Sequence, residues 1–274
     1  MPNILRRGCP WIIALALAAC GPSARLPPPE PSGRPALRIQ VQSGTVGVVR
    51  VVVIPEDRSD IAVEGGAAGF ALAREGQALT ISDGFDAEDG RNCPERLPAA
   101  GLTTITVRTP MDVDIHAQGA VLGEVGPARE LRLASGGCGS WRASSAAAPA
   151  TLAQAGGGSI ALGAAHKGLT ARLIGDGRIS IGEAQGPLSA DVAGRGRMSV
   201  AGGVSPHAGL RLKGSGQIVH SGRIGTLEAE LNGSGRIHAA AVTGRVRKIV
   251  GGAGEVTWGR PAGRAYCGGS ACSR

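Results

Sequence analysis

Aromatic side chains are scarce in this chain of 274 residues, which has three Trp, two Phe and one Tyr. A thick globular core is not expected, because large aromatic side chains supply much of the buried area in such cores. Lysine occurs only at positions 167, 213 and 248, so nearly all positive charge comes from arginine. No aromatic residues interleave with those arginines, as a surface for single-stranded nucleic acid requires, so no nucleic-acid partner is expected.

Motifs of enzyme chemistry are also missing. The sequence has no G-x-S-x-G elbow, no H-E-x-x-H pair and no glycine loop with a phosphate-binding lysine. We therefore expect a protein that is not an enzyme and holds neither cofactor nor metal. An acidic run offers calcium binding as an alternative to a solvated loop, although the spacing of an EF-hand is absent. Its carboxylates are Asp83, Asp86, Glu88 and Asp89.

The N-terminus contains an export signal. Arg6 and Arg7 precede an apolar run from Trp11 to Leu17, and small residues follow it. That run is shorter than the roughly 20 residues that span a bilayer, so we expect it to be cleaved off. The tetrad Leu17-Ala18-Ala19-Cys20 resembles the bacterial lipobox. This resemblance predicts a lipoprotein that begins at a lipidated Cys20 and is held to a membrane by several acyl chains.

A proline-rich spacer without hydrophobic periodicity follows the cysteine, over residues 21–35. Gly21 stands where an aspartate would resemble the retention signal of the inner membrane, which favours an outer-membrane location on either face. The rest of the chain divides into an irregular β-rich part, 36–117, a regular repeat, 118–259, and a tail, 260–274. The signal peptide itself is 1–19, and the lipidated cysteine with its linker is 20–35.

Four cysteines remain beyond the lipidated one, and an even number in an oxidising compartment predicts two disulfides. Three connectivities are open. The short loop between Cys267 and Cys272 favours that pair, which leaves Cys93 with Cys138.

Glycine is abundant, with 46 residues, and much of it lies in a Gly-x-Gly unit followed by alternating apolar residues. The first glycines of successive units are separated by 19, 19, 19, 20, 19 and 19 residues. This length is too short for a propeller blade and suits one coil of a β-solenoid, whose strands pair in parallel about 4.8 Å apart. We therefore predict an all-β, parallel β-solenoid. The units begin at Gly137, Gly156, Gly175, Gly194, Gly214, Gly233 and Gly252.

Fixed distances from these glycines predict which side chains face inward. Two residues before the unit, the last five coils are apolar, from Leu173 to Val250, whereas the first two have Ser135 and Gln154. His220 occupies an apolar column, so we predict a hydrogen-bonded core histidine and not a ligand. The second residue after each unit is apolar in all seven coils, namely Trp141, Ile160, Ile179, Met198, Ile218, Ile237 and Val256.

Two outward columns carry charge. One alternates in sign and favours the strand register, since opposite charges then lie on neighbouring strands; it consists of Arg172, Asp191, Arg211 and Glu230. The other stacks mostly positive charge and is the candidate anion-binding surface, with a solvated arginine surface as the other interpretation. Its arginines are Arg178, Arg197 and Arg236, with Gln217 among them. Loss of Arg6 and Arg7 leaves 27 basic and 21 acidic side chains, a net charge of +6.

The two ends of the repeat differ from its middle. Strand-like runs in 36–117 lack the strict period, and we expect them to begin the solenoid and cap it, because an open end is an aggregating edge. At the far end, Lys248 stands where the pattern expects an apolar residue, so we expect a distorted last coil.

The lipobox, the spacer and repeats such as GSGQI at 214–218 and GSGRI at 233–237 resemble the auto-transporter adhesin family with the head GIN domain, over roughly 36–259. This resemblance implies an adhesin-like solenoid of the cell envelope without established catalytic residues. We expect a non-catalytic, membrane-anchored lipoprotein that contacts an envelope polysaccharide or another protein. Two alternatives are binding of lipopolysaccharide or another anionic polymer, and a carbohydrate-active β-helix enzyme.

Overall fold

Apolar and polar residues alternate with a period of two along most of the chain, which is the pattern of strands with one buried face. A computed structural model describes residues 34–41, 49–66, 69–83 and 102–260. Those residues form twenty strands and no helix, so the predicted all-β parallel solenoid is confirmed. Within the same ranges there is no helix with the length and apolarity to cross a membrane.

The strands before the regular repeat vary in length and pairing, whereas the later ones recur with the Gly-x-Gly unit. The first ten are β1 Ala36–Val41, β2 Val49–Glu56, β3 Ala62–Gly65, β4 Ala71–Glu75, β5 Ala78–Ser82, β6 Thr103–Pro110, β7 Asp112–Gly119, β8 Val121–Val125, β9 Glu130–Gly136 and β10 Ser140–Ala146. The last ten are β11 Ala150–Ala155, β12 Ser159–Ala165, β13 Leu169–Gly175, β14 Arg178–Gln185, β15 Leu188–Gly194, β16 Arg197–Gly214, β17 Gln217–Gly233, β18 Arg236–Val242, β19 Val246–Gly251 and β20 Glu255–Trp258.

Eight successive turns run from β7 to β20, and each turn contributes one strand to each of two parallel sheets. The first sheet contains β7, β9, β11, β13, β15 and β19, and the second contains β8, β10, β12, β14, β18 and β20. β16 and β17 belong to both sheets because their backbone continues through the corner, where the pairing register shifts. Equivalent positions stack directly, as Ile160 does on Ile179.

The first two strands of the chain are not the first layer of the stack. β1 pairs with β5 on one side and β7 on the other, while β2 lies between β6 and β8. The layer of β5 and β6 is therefore the outer one, although it follows β1 and β2 in the chain. Antiparallel strands β4 and β3 pair with its outer edge, along β5 and β6 respectively. Parallel stacking thus ends at this edge, while the domain boundaries drawn from the sequence stay predictions.

A single core of small and aliphatic side chains runs through the stack from Leu37 to Val256. The predicted inward column after the Gly-x-Gly unit is buried in all seven coils, which confirms the inward direction predicted from the repeat. The column before the unit is also buried from Leu173 to Leu231, but Val250 in the last described turn is 37% exposed. Core packing therefore weakens at that end.

Polar residues enter the core near the start of the repeat. Ser135 and Gln154 are both buried, and the Gln154 Nε2 donates to the Ala155 carbonyl oxygen at 3.0 Å. In the same region the Trp141 ring lies over a glycine of the preceding turn. A Cβ atom on Gly123 would stand 2.0 Å from Trp141 Cε3, so the ring occupies the volume that this glycine leaves free.

Lys248 lies in the last described turn of the stack. Its Nζ donates to the Val256 carbonyl oxygen on the opposite sheet at 3.3 Å and lies 5.9 Å from the centroid of the Trp258 ring. The side chains of Ile249 and Trp258 are exposed beside it. Strand register is continuous in the last coil, so the expected distortion is not seen in the described residues. Instead, Lys248 crosses from one sheet to the other.

Candidate functional site

The Gly-x-Gly corner, where each turn passes from the first sheet to the second, forms a trough with a floor of bare backbone. The floor is the column of second glycines. A Cβ atom on Gly216 would lie 2.5 Å from the carbonyl oxygen of Gly196, and one on Gly235 would lie 2.5 Å from that of Gly216. Because stacked turns approach this closely, no side chain fits at these positions.

Side chains form two walls beside this floor. One wall is the middle residue of each unit, and the other is the residue that follows the unit and pairs in register from turn to turn. The trough has a volume of about 400 Å³ and spans four turns, or about 14 Å along the axis at about 4.8 Å between turns. The first wall is Arg195, Ser215, Ser234 and Ala253, and the second is Arg197, Gln217, Arg236 and Glu255.

An ion pair lies beside the trough at each of its ends. At one end, Arg195 Nε and Nη2 donate to Asp176 Oδ1 and Oδ2 at 3.1 and 2.6 Å. This hydrogen bonding lowers the pKa of Asp176, but both side chains are exposed, so the pair adds little stability. At the other end, Arg236 Nε lies 3.3 Å from Glu255 Oε2. Arg197, between them, forms no ion pair with any residue in the described ranges.

Backbone N–H groups of the corner donate hydrogen bonds to carbonyl oxygens of the preceding turn. The N–H groups of Ser215 and Gly216 both donate to the Gly194 carbonyl oxygen, at 3.1 and 3.0 Å, and Gln217 N–H donates to that of Gly196 at 3.0 Å. These amides therefore do not form a cradle for an anion. Recognition in the trough depends on side chains.

The structure places the predicted anion-binding arginines in one column, since Arg178 pairs with Arg197, Arg197 with Gln217, and Gln217 with Arg236. Arg178 lies outside the trough, however. Arg195 and the two wall serines were not among the predicted site residues. A signal for Arg195 was present, because it follows Asp176 at the repeat spacing and in the same position of the unit.

The column with alternating charge lies on the outer face of the first sheet. Arg172 pairs with Asp191, Asp191 with Arg211, and Arg211 with Glu230, as expected from the register. The Arg211 Nε to Glu230 Oε2 distance is 3.8 Å. These charges are compensated along the column, so this face is a poorer candidate for an anion than the trough.

His220 differs from the prediction of a hydrogen-bonded core residue. It is fully buried in the apolar column, as expected, but neither ring nitrogen has a hydrogen-bond partner in the described part of the chain. Burial lowers the pKa of its imidazole. Backbone groups of Gly222 and of His220 itself lie close enough to oppose this lowering in part, but their contacts with the ring do not have hydrogen-bond geometry. The alternation of side chains along the strand directs this residue into the core, whether or not a hydrogen-bond partner is present there.

Several predicted site residues lie outside the described ranges, among them Cys20, Asp86, Glu88, Asp89, Cys93, Cys267 and Cys272. Lipidation, calcium binding and the two disulfide pairings therefore stay predictions. Cys138 is disulfide-bonded, and Asp83 is also described. In the described residues, no three His, Cys, Asp or Glu side chains are grouped so that they could hold a metal ion.

No protein-family model and no curated protein matches the chain. A candidate lipid-binding protein from Parabacteroides distasonis has a similar solved structure, with a TM-score of 0.55 and 16% identity over 83% of this chain and 93% of that chain. A candidate cell adhesion protein from Clostridium sporogenes aligns with a TM-score of 0.18 and 9% identity, over 85% of this chain and 96% of that chain. The first likeness shows a shared fold, whereas the TM-score of the second is too low to show one. The resemblance to the head GIN domain family stays a prediction.

Proposed function

We propose that this protein is a non-catalytic lipoprotein of the bacterial outer membrane whose solenoid presents a rigid surface to a partner outside the chain. The packing of the stack is the main observation that supports this proposal. Most side chains in its interior, from Leu37 to Val256, are apolar, so a partner must bind at the outer faces and corners. A repetitive stack of this kind offers an extended surface, which is how repeat proteins bind their partners.

The envelope location rests on the N-terminal sequence. A short signal, the lipobox ending at Cys20 and the proline-rich spacer together favour export, lipidation and a tether. Gly21 after the cysteine favours the outer membrane over the inner one. The description of the Parabacteroides protein as lipid-binding adds support for a partner that carries lipid, and the sequence resemblance supports adhesion.

Catalysis is disfavoured by the carboxylates beside the trough. A general acid for sugar hydrolysis needs a raised pKa, whereas Arg195 lowers the pKa of Asp176. Glu255 forms an ion pair with Arg236. A carbohydrate-active enzyme is therefore the less favoured alternative, and release of new reducing ends from envelope polysaccharide by the purified protein would establish it.

The anchor is tested by Cys20→Ser in the full chain, with Cys9→Ser as the matched control within the signal. We expect wild-type protein and the control to fractionate with the outer membrane, and Cys20→Ser to lose acylation and appear in the soluble or unprocessed fraction. Membrane-bound, acylated Cys20→Ser would overturn the proposal. Protease treatment of intact cells then tells which membrane face the solenoid occupies, because only the outer face is accessible.

A further inference from the structure

We propose that the trough binds a linear sugar chain that carries phosphate or carboxylate groups, with Arg197 as its central anion contact. This inference rests on the proposed function and names its partner class. The shape of the trough is the first argument. Its floor cannot carry side chains, since the glycines stack against the carbonyl oxygens of the turn below, and it runs straight along the axis across four turns.

Such a channel accommodates an extended chain better than a compact ligand. Its volume of about 400 Å³ lies within the range of roughly 300 to 1,000 Å³ that ligand sites occupy. The wall becomes lower from Arg195 through Ser215 and Ser234 to Ala253, so a chain can leave the trough toward the last turn. Both features are typical of a site that holds part of a polymer.

The chemistry of the walls suits an anionic sugar. The guanidinium of Arg197 is exposed and without an ion pair in the described residues, and its planar set of donors matches a carboxylate or phosphate. Ser215, Ser234 and Gln217 offer donors and acceptors for sugar hydroxyls. The lining has no aromatic side chain for stacking on sugar rings, so binding depends on charge and hydrogen bonds and weakens as salt rises.

Glu255 opposes this ligand, because its carboxylate competes for Arg236 at 3.3 Å. Removal of its charge frees Arg236 for the sugar chain. Glu255→Gln is therefore expected to strengthen binding, a result that general loss of structure does not produce. Arg172→Gln provides the matched control. It removes the same charge from an exposed position on the other sheet, at a residue that also lacks an ion pair in the described ranges.

The test is calorimetric titration of the full chain, in neutral detergent, with a linear oligogalacturonate. A malto-oligosaccharide of equal length is the neutral control, and glycerophosphoglycerol represents a lipid headgroup. We expect binding of the oligogalacturonate alone, about tenfold weaker for Arg197→Gln, which corresponds to about 1.4 kcal/mol. Arg172→Gln should stay within about twofold of wild type, and Glu255→Gln should bind more tightly.

Three results would overturn the inference. Equal weakening by Arg197→Gln and Arg172→Gln would mean diffuse attraction to the basic protein. Equal binding of the neutral sugar would remove the role of charge, and binding of glycerophosphoglycerol without the oligogalacturonate would assign the trough to a lipid headgroup. The Cys20→Ser fractionation is independent of all three, so failure of the envelope proposal and failure of the trough are distinguishable.

Discussion

Replacement of His220 by leucine is expected to stabilise the protein. The imidazole is fully buried, and neither ring nitrogen has a partner in the described residues. The same column contains Ile181 and Val200 in the two preceding turns and Ala239 in the next one. Leucine is close to histidine in volume and needs no hydrogen bond, so the substitution keeps the packing and removes the buried polar atoms.

The gain at pH 8 is about 1–3 kcal/mol, the usual cost of a buried polar group without a partner. The gain grows in acid. Burial lowers the pKa of His220 below the ordinary value of 6.5, so the unfolded chain binds a proton more readily than the folded one. Wild-type stability is therefore lost as the pH falls below about 6.5, by up to about 1.4 kcal/mol per pH unit, until the lowered pKa is reached.

The assay is denaturant unfolding at several pH values from 8 to 5, followed by the fluorescence of buried Trp141. The difference in unfolding free energy between His220→Leu and wild type reports protonation of His220 alone, because the other titrating groups are common to both proteins. His207→Gln, at an exposed position, is the control and should leave the free energy of unfolding at pH 8 unchanged. If His220→Leu is less stable than wild type, or if the difference does not change with pH, the reasoning is wrong.

Three further predictions concern the stack. Gly123→Ala places its Cβ 2.0 Å from Trp141 Cε3, and should cost about 1–3 kcal/mol of unfolding free energy, with recovery in the double variant with Trp141→Leu. Gly194→Ala combines a φ of +120° with a Cβ 2.6 Å from the Gly175 carbonyl oxygen, so we expect faster amide hydrogen exchange in that turn. Gly157→Ala, which has open space around the Cβ, should leave the exchange rates unchanged. Lys248→Ala removes the crossing at the last turn, and should raise exchange in β19 and β20 without affecting β9.

The repeat made the regular part predictable because stacking leaves no freedom of register. Once Ile160 and Ile179 occupy equivalent positions, every outward and inward column follows, including the one that contains Arg197. The order of the first layers was not predictable, since Leu37, Leu79 and Ile115 lie in strands of similar pattern. Periodicity does not say which of three such strands lies between the other two.

The trough and His220 show a second limit. Strand parity identifies the direction of a side chain but not the partners that it meets. It correctly placed His220 inside and Arg197 outside, yet the missing hydrogen bonds of the first and the missing ion pair of the second depend on neighbours in adjacent turns. The pairing of Asp176 with Arg195 was accessible from the repeat, because both are middle residues of successive units.

The position of β1 has a mechanical consequence. Residues 36–40 pair with β5 and residues 37–41 pair with β7, so the strand is flanked on both sides by parallel neighbours. A pull on the chain from the direction of Arg34 is directed along the strand and shears two ladders of hydrogen bonds together. An edge strand at the end of the stack would instead peel away one bond after another. Under the proposed anchoring at Cys20, the solenoid is therefore held at a point that resists extraction.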